Sequence, residues 1–506
     1  MAKSSYSQIL KSTSLIGGAS LVNIAIGIIR SKIVAMILGP SGMGLNSLFL
    51  SITNLSETVG GMGVNSSGVR QIAAAAASGD RNSVAKTAAV LRKTSLILGL
   101  VTAAFLVLAS RQVSTLTFGN REQAAAICFL AVGVFMRFVS AGQGTLLQGL
   151  RRISDMTQAG MLSTFLGMLV TVALVFWLRE DGIVASFVVA STVGLGVSWQ
   201  YSRKAGIDRT SVTFQEARTE AAELLQLGSV LMVSGLAMMG SSYVVRAMIQ
   251  TRLGLEATGL YQAAWSVGNM YVGFILTAMG ADFYPRLTES IHDHAEANRL
   301  VNEQTQVSLL LAGAGIIGTL TFASLVIKTL YAASFAGAEA ILQWICLGTA
   351  LQVVSWPVGF IIVGKGDKAA LVLTEIAWTC VHLSLVWLGL QYFGVPGAGL
   401  AFFLSYIFHT VVVYVLARRL TGFRWSAENQ RALVIYMLSI GIVMAASHFL
   451  PRPWGIGFGA MALAGCLRYS AMKLLVLVPE HQLPSAIRRV FDLWLFATAA
   501  RVGSQS

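Results

Sequence analysis

With 506 residues, 55% of them hydrophobic and only 11% charged, and a mean hydropathy of +0.70, this chain carries more apolar surface than a soluble fold can bury. It reads as a polytopic membrane protein, and its 50 glycines as small-residue contacts that let helices approach closely in lipid. The net charge of +14 is spread over separate loops, so it marks topology, and no nucleic-acid partner is expected.

The predicted class is all-α, because apolar runs of about 20 residues, enough to cross about 30 Å of hydrocarbon, recur along the whole chain. Fourteen spans are predicted. The first, Leu15 to Leu38, carries Arg30 about 13 Å from its Gly39 end at 1.5 Å per residue, near the bilayer middle. Asn23 and Gly27 precede Arg30 at helical spacing, while Lys32 lies roughly opposite and nearer the interface. The second span, Asn46 to Val64, crowds Ser47, Ser51, Asn54 and Glu57 onto one helix. Lipid would not tolerate that face. Thr94 to Ala109 and Ala124 to Leu146 follow; the latter holds Arg137, for which a ligand role and an ion pair with Glu57 are both open. Ala159 to Leu178 and Gly182 to Trp199 are the fifth and sixth.

The seventh span, Leu225 to Ile249, places Arg246 between Ser242 and Gln250. The eighth, Gly259 to Ala281, repeats the polar crowding with Gln262, Ser266 and Asn269, and Tyr261, Trp265 and Tyr271 are candidates to meet sugar rings. Gln306 to Ile327, Ala340 to Val363, Ala369 to Tyr392 with its buried Glu375, and Gly397 to Leu416 come next. Ala432 to Leu450 and Gly455 to Val478 form a final pair.

The order of these spans contains a repeat. Leu38-Gly39, Gly44-Leu45, Ser51 and Asn54 recur 215 residues later as Leu253-Gly254, Gly259-Leu260, Ser266 and Asn269, and an arginine precedes each glycine, Arg30 in one copy and Arg246 in the other. The expected organisation is a lobe over residues 1–215, a second over 216–420, and a C-terminal helix pair with a cytoplasmic tail over 421–506. In transporters built from such repeats the substrate site lies between the halves.

Most of the 36 Lys and Arg residues fall in the loops and tails that would be cytoplasmic if the N-terminus is inside, whereas the outside loops hold only Arg111, Arg121, Arg179, Arg252, Lys328 and Arg452. Both termini are therefore predicted to be cytoplasmic. The longest loops are about 25 residues, with room for a short helix such as the Ala73 to Ala77 run but not for a catalytic domain, so no enzyme and no catalytic residues are expected. No nucleotide-hydrolysis motif is present, and no cofactor is implied. Cys128, Cys346, Cys380 and Cys466 lie in apolar spans without metal-ligand spacing, and His292-Asp293-His294 reads as a solvated loop face, so no metal is expected. The first helix has no cleavage site after it and is retained.

Buried cations outnumber buried acids, chiefly Glu57 and Glu375. A pathway for organic cations would be lined with carboxylates, whereas Arg30, Lys32, Arg137 and Arg246 suit an anion, above all a phosphate or pyrophosphate that arginine grips bidentately. With Asn23, Ser51, Asn54, Ser266 and Asn269 as hydrogen-bonding partners, these are the candidate substrate-binding residues; Glu57 and Glu375 are candidates for ion coupling. A phosphorylated glycan on a lipid fits both signals.

The run Ser31-Lys32-Ile33-Val34-Ala35-Met36-Ile37-Leu38-Gly39-Pro40-Ser41-Gly42-Met43-Gly44-Leu45, the Tyr284-Pro285-Arg286-Leu287-Thr288 loop and Gly397-Ala398-Gly399 together resemble the O-antigen and enterobacterial-common-antigen translocases. These are lipid-linked oligosaccharide flippases of the multidrug/oligosaccharidyl-lipid/polysaccharide exporter superfamily, and the likeness spans about Ser7 to Leu420. It implies two six-helix lobes around a cationic cavity, alternating access, and a basic residue late in the first span, which matches Lys32 by its distance from Gly39-Pro40. The resemblance implies a flippase of the bacterial inner membrane that moves an undecaprenyl-pyrophosphate-linked oligosaccharide, such as an O-antigen repeat unit of lipopolysaccharide, to the periplasmic leaflet. Partners would be that glycan, membrane lipids, and the polymerase and chain-length regulator of the same pathway. The alternatives are a cation-coupled drug exporter of the same superfamily and a polysaccharide polymerase.

Overall fold

A computed structural model describes the backbone of residues 2–207, 210, 214–270, 273, 279 and 283–477; Tyr271 and the predicted cytoplasmic tail after residue 477 lie outside the described residues. Among the described residues there are sixteen α-helices and no strand. In chain order they are α1 (Ala2–Gly61), α2 (Val64–Ala77), α3 (Arg81–Leu108), α4 (Ser110–Phe118), α5 (Ala124–Gly149), α6 (Ile153–Leu178), α7 (Gly182–Arg203) and α8 (Phe214–Gly268). There follow α9 (Tyr284–Ser290), α10 (His294–Thr321), α11 (Ala323–Leu330), α12 (Ala338–Gly364), α13 (Lys368–Phe393), α14 (Pro396–Thr421), α15 (Ala427–Phe449) and α16 (Arg452–Leu477).

The chain is a multi-pass membrane protein. Every predicted span falls on a helix, although most of 271–281, the end of the eighth, is outside the described residues. The first and second spans are the two arms of α1, the seventh and the described part of the eighth are those of α8, and the ninth is divided between α10 and α11, bent by 84°. The alanine run at 73–77 ends α2, a short helix as expected.

The repeat seen in the sequence is repeated in the backbone. Helices α3, α4, α5, α6 and α7 recur in the same order and similar lengths as α10, α11, α12, α13 and α14. Both copies of the long helix break at a glycine, Gly39 with φ 64° and Gly254 with φ 87°. That left-handed conformation is open to glycine without steric cost, and Pro40, whose fixed φ suits a first helical position, starts the second arm of α1. Helices α3 and α10, which correspond in the repeat, are also capped alike: Asp80 accepts from the Asn82 and Ser83 amides at the start of α3, and Asp293 from those of Ala295 and Glu296 at the start of α10. Asp293, the middle of the His-Asp-His run, is thus a helix cap, and the described residues contain no metal-ligand cluster. All four cysteines are free.

Contacts group the chain into two compact units. The first runs through Ala264 and takes in Ile327–Ile341 and Glu375–Ala401. In it α5 packs on α3 and α7, and α6 on α1 and α7, around Leu48, Phe49, Ile127, Leu130 and Val134. One contact follows directly from the repeat. A Cβ on Gly44 would strike the Leu255 carbonyl and the Gly259 amide, and a Cβ on Gly259 would strike the Pro40 carbonyl and the Gly44 amide. Gly44 and Gly259 are repeat equivalents, as are Pro40 and Leu255, so the second arms of α1 and α8 cross back to back on a local two-fold axis, backbone against backbone.

The second unit comprises Trp265–Val326, Leu342–Thr374 and the described residues from Phe402 on. Here α10 packs against α15 and α16. Tyr436 of α15 hydrogen-bonds Ser470 of α16, whose hydroxyl donates to the Leu310 carbonyl of α10 at 2.8 Å. Asn298 and Asn302 of α10 tie down the connector into α15, donating to the carbonyls of Thr421 at 2.9 Å and Arg424 at 3.1 Å. The final helix pair is therefore held to α10 by polar bonds, the interaction that replaces water exclusion as the adhesive between helices in lipid.

Candidate functional site

The first unit contains an open cavity of about 530 Å³ between α1, α5, α6 and α7. Arg30 and Ser31 enter it from the first arm of α1, Asn46, Leu50 and Glu57 from the second, and Arg137 and Ser140 from α5. The bend at Gly39 is what brings both arms of α1 to one chamber, since a straight helix of that length would carry Arg30 and Glu57 far apart at 1.5 Å per residue.

Arg137 grips the Glu57 carboxylate with two nitrogens, Nε to Oε1 and Nη2 to Oε2, the latter at 3.1 Å. Both side chains remain partly exposed to the chamber, 40% and 28%. Arg30 has no hydrogen-bond or ion-pair partner among the described residues. Two cations and one anion leave the chamber with one net positive charge, and Arg30 is itself exposed, so an entering anion can reach it. The Glu57 carboxylate thus occupies two of the donors on the guanidinium edge that Arg137 presents in this chamber.

A smaller chamber of about 40 Å³ lies on the other side of the second arm of α1, sharing Leu50 and lined further by Ser47, Ser51, Asn54, Met239, Ser242, Arg246 and Gln262. Arg246 is buried at 5% exposure. Its Nε and Nη2 donate to Gln262 Oε1 at 2.9 and 2.8 Å, and its Nη1 to the Ser242 carbonyl at 2.9 Å and to the Ser242 hydroxyl. The chamber has room for about one or two waters, since one water takes up about 30 Å³ of liquid.

The structure thus brings together two groups of the predicted site residues: Arg30, Glu57 and Arg137 in the large chamber, and Ser51, Asn54 and Arg246 in the small one. Lys32, half-buried, lines neither, and so do Asn23, Ser266, Asn269 and the half-buried Glu375 on α13. The large chamber also contains residues not among the predicted site residues: Ser163, Thr164, Gly167 and Thr171 on α6, and Ser186, Phe187, Ala190, Ser191 and Gly194 on α7. Their signal was a stripe of small and hydroxyl residues at three- and four-residue spacing inside otherwise apolar spans, which also describes ordinary helix packing.

Residues 9–291 match the family described as polysaccharide biosynthesis protein. The chain belongs to that family. It is 20% identical over 413 residues to the Lipid III flippase of Escherichia coli strain K12, a match covering 79% of this chain and 97% of that relative, and the Lipid III flippase of Shigella flexneri matches equally. Among solved structures it is similar to the lipid II flippase MurJ in an inward closed conformation, with a TM-score of 0.70 at 11% identity over 90% of this chain and 98% of that one. It is also similar to an inward-facing multidrug resistance MATE family transporter of the MOP superfamily, with a TM-score of 0.66 at 15% identity over 80% and 95% of the two chains. The fold is that of these polytopic transporters.

Proposed function

We propose that this protein is a flippase, and not an enzyme, which carries an undecaprenyl-pyrophosphate-linked oligosaccharide from the cytoplasmic to the periplasmic leaflet of a bacterial inner membrane by alternating access. The observation that carries this reading is the uncompensated Arg30 beside the Arg137–Glu57 pair in a cavity of about 530 Å³. A net positive chamber of this volume at membrane depth suits a phosphorylated head group and repels the organic cations that many exporters handle. The volume falls in the range of about 300 to 1,000 Å³ usual for small-molecule sites. The family match and the flippases among its relatives support the same class of substrate. Arg30 and Arg137 would hold the pyrophosphate, with Glu57 yielding Arg137 as the anion enters. Arg246 would join only once the Gln262 and Ser242 contacts open, and Lys32 would serve the membrane interface. The lobes at 1–215 and 216–420 are the proposed moving parts, and the polymerase and chain-length regulator of the pathway the proposed partners.

Deletion should cause lipid-linked glycans to accumulate, with the sugar facing the cytoplasm, as read by mass spectrometry and by protection from an added glycosidase. An unchanged pool of lipid-linked glycans in the deletion strain would remove the proposed function. For the topology, both termini and the loop holding Arg81 are taken as cytoplasmic on the distribution of basic residues. In a cysteine-free background, a membrane-impermeant thiol reagent should therefore label Asn120→Cys or Gly394→Cys in intact cells, and not Asn82→Cys. Strong labelling at position 82 would reverse the orientation.

A further inference from the structure

The wall that α6 and α7 present to the large chamber has a chemical polarity opposite to that of α1 and α5. Thr164 donates its hydroxyl proton to the Gly160 carbonyl at 2.9 Å, Thr171 to Gly167 at 2.7 Å, Ser186 to Ile183 at 2.6 Å and Ser191 to Phe187 at 2.6 Å. A hydroxyl has one proton and two lone pairs, so each of these side chains, having spent its proton on its own helix, meets a ligand as an acceptor. An ionised phosphate has only lone pairs and gains nothing from these four groups, which leaves Ser163, among the described residues, as the one hydroxyl of this wall whose proton is not donated to its own helix. A sugar ring, whose hydroxyls and acetamido N–H donate, satisfies the four.

Shape agrees with charge. Phe187 supplies one apolar face for the C–H side of a ring. Ala190 and Gly194 keep the rest of the α7 face low, and a Cβ on Gly194 would meet nothing within 4 Å. We infer that the α6–α7 wall is a subsite for the sugar attached to the pyrophosphate, read through its hydrogen-bond donors, while Arg30 and Arg137 hold the anion in the same chamber. This assignment rests on the flippase reading, and it fixes how the head group lies: phosphates against α1 and α5, the first ring against α6 and α7.

The test compares two probes, a polyprenyl pyrophosphate without sugar and the same carrier bearing one N-acetylhexosamine, for binding to the full-length protein in nanodiscs. The wild type should bind the glycosylated carrier about tenfold more tightly, the gain from two or three neutral hydrogen bonds. In the triple variant Thr164→Val, Thr171→Val, Ser191→Ala, which keeps side-chain shape and removes acceptors, that ratio should fall to about twofold or less. Thr192→Val, on the exposed face of α7 and outside the chamber, should keep the wild-type ratio. Gly194→Leu fills the chamber from an open position, and should abolish the preference in a protein that still folds. Equal binding of the two carriers by the wild type, or a tenfold ratio surviving in the triple variant, overturns the subsite and leaves the flippase reading standing. Binding of neither carrier overturns that reading and the subsite with it.

Discussion

Gly44→Ala should lower the thermal unfolding midpoint of the detergent-solubilised protein sharply, and Gly44→Val should leave little folded protein in the membrane. The added methyl has no flexible neighbour to displace. It meets the Leu255 carbonyl and the Gly259 amide, both backbone groups of a helix, so the second arms of α1 and α8 must separate along their length. Overpacking of a side-chain core costs about 1–3 kcal/mol, and a contact between two backbones, which cannot repack, belongs at or above the upper end of that range. Gly160→Ala is the matched control, since a Cβ there meets nothing within 4 Å and alanine favours the helix. The two-fold character of the contact adds a sharper expectation. Gly259→Ala should cost about as much as Gly44→Ala, and the double variant less than their sum, because one separation of the arms relieves both clashes. Equal midpoints for Gly44→Ala and Gly160→Ala, or simple additivity of the pair, would remove the crossing.

Much of this architecture was legible in the chain because the repeat speaks through residues with strong local rules. Gly39 and Gly254, marked by the repeat, are the breaks of the two long helices, whereas Asp80 and Asp293 act as caps by equally local rules that the expectation of a solvated loop does not draw on. Apolar run length did the same for the helices. What sequence spacing does not contain is the meeting of distant faces. The Glu57–Arg137 pair joins residues 80 apart, a separation at which spacing alone leaves an ion pair and a ligand role equally open. Arg246 matches Arg30 by its place in the repeat, yet Gln262, sixteen residues on, takes its guanidinium in one copy, and among the described residues no counterpart takes that of Arg30 in the other. The hydroxyls of α6 and α7 were passed over because a small polar stripe has two uses in a membrane, packing and lining, and only the position of α1 decides between them.

Arg30→Ala should abolish translocation and weaken binding of a polyprenyl pyrophosphate by about ten- to a hundredfold, the worth of one charge-assisted pair in a partly desolvated site. Arg30→Lys should recover only part, since a point charge does not reproduce the guanidinium fork. Lys32→Ala, outside both chambers, should be mild by comparison. Glu57→Gln separates binding from transport: it frees Arg137, raises the chamber from one net positive charge to two, and should hold the pyrophosphate more tightly while slowing its release. A merely structural role for the pair would lower both. The same charges set the energetics of the cycle. A head group with about two negative charges gains roughly 2.3 kcal/mol per charge on moving outward across an inside-negative potential of about 100 mV, or about 4 to 5 kcal/mol in all, less whatever cationic side chains travel with it. Proteoliposomes held at a valinomycin-set potential, without a proton or sodium gradient, should therefore flip the carrier, faster as the interior is made more negative with respect to the side of delivery. Flipping that ignores the potential, follows an imposed pH gradient and loses that dependence in Glu57→Gln would assign Glu57 to proton antiport instead, and Arg137 to holding that proton site rather than the substrate.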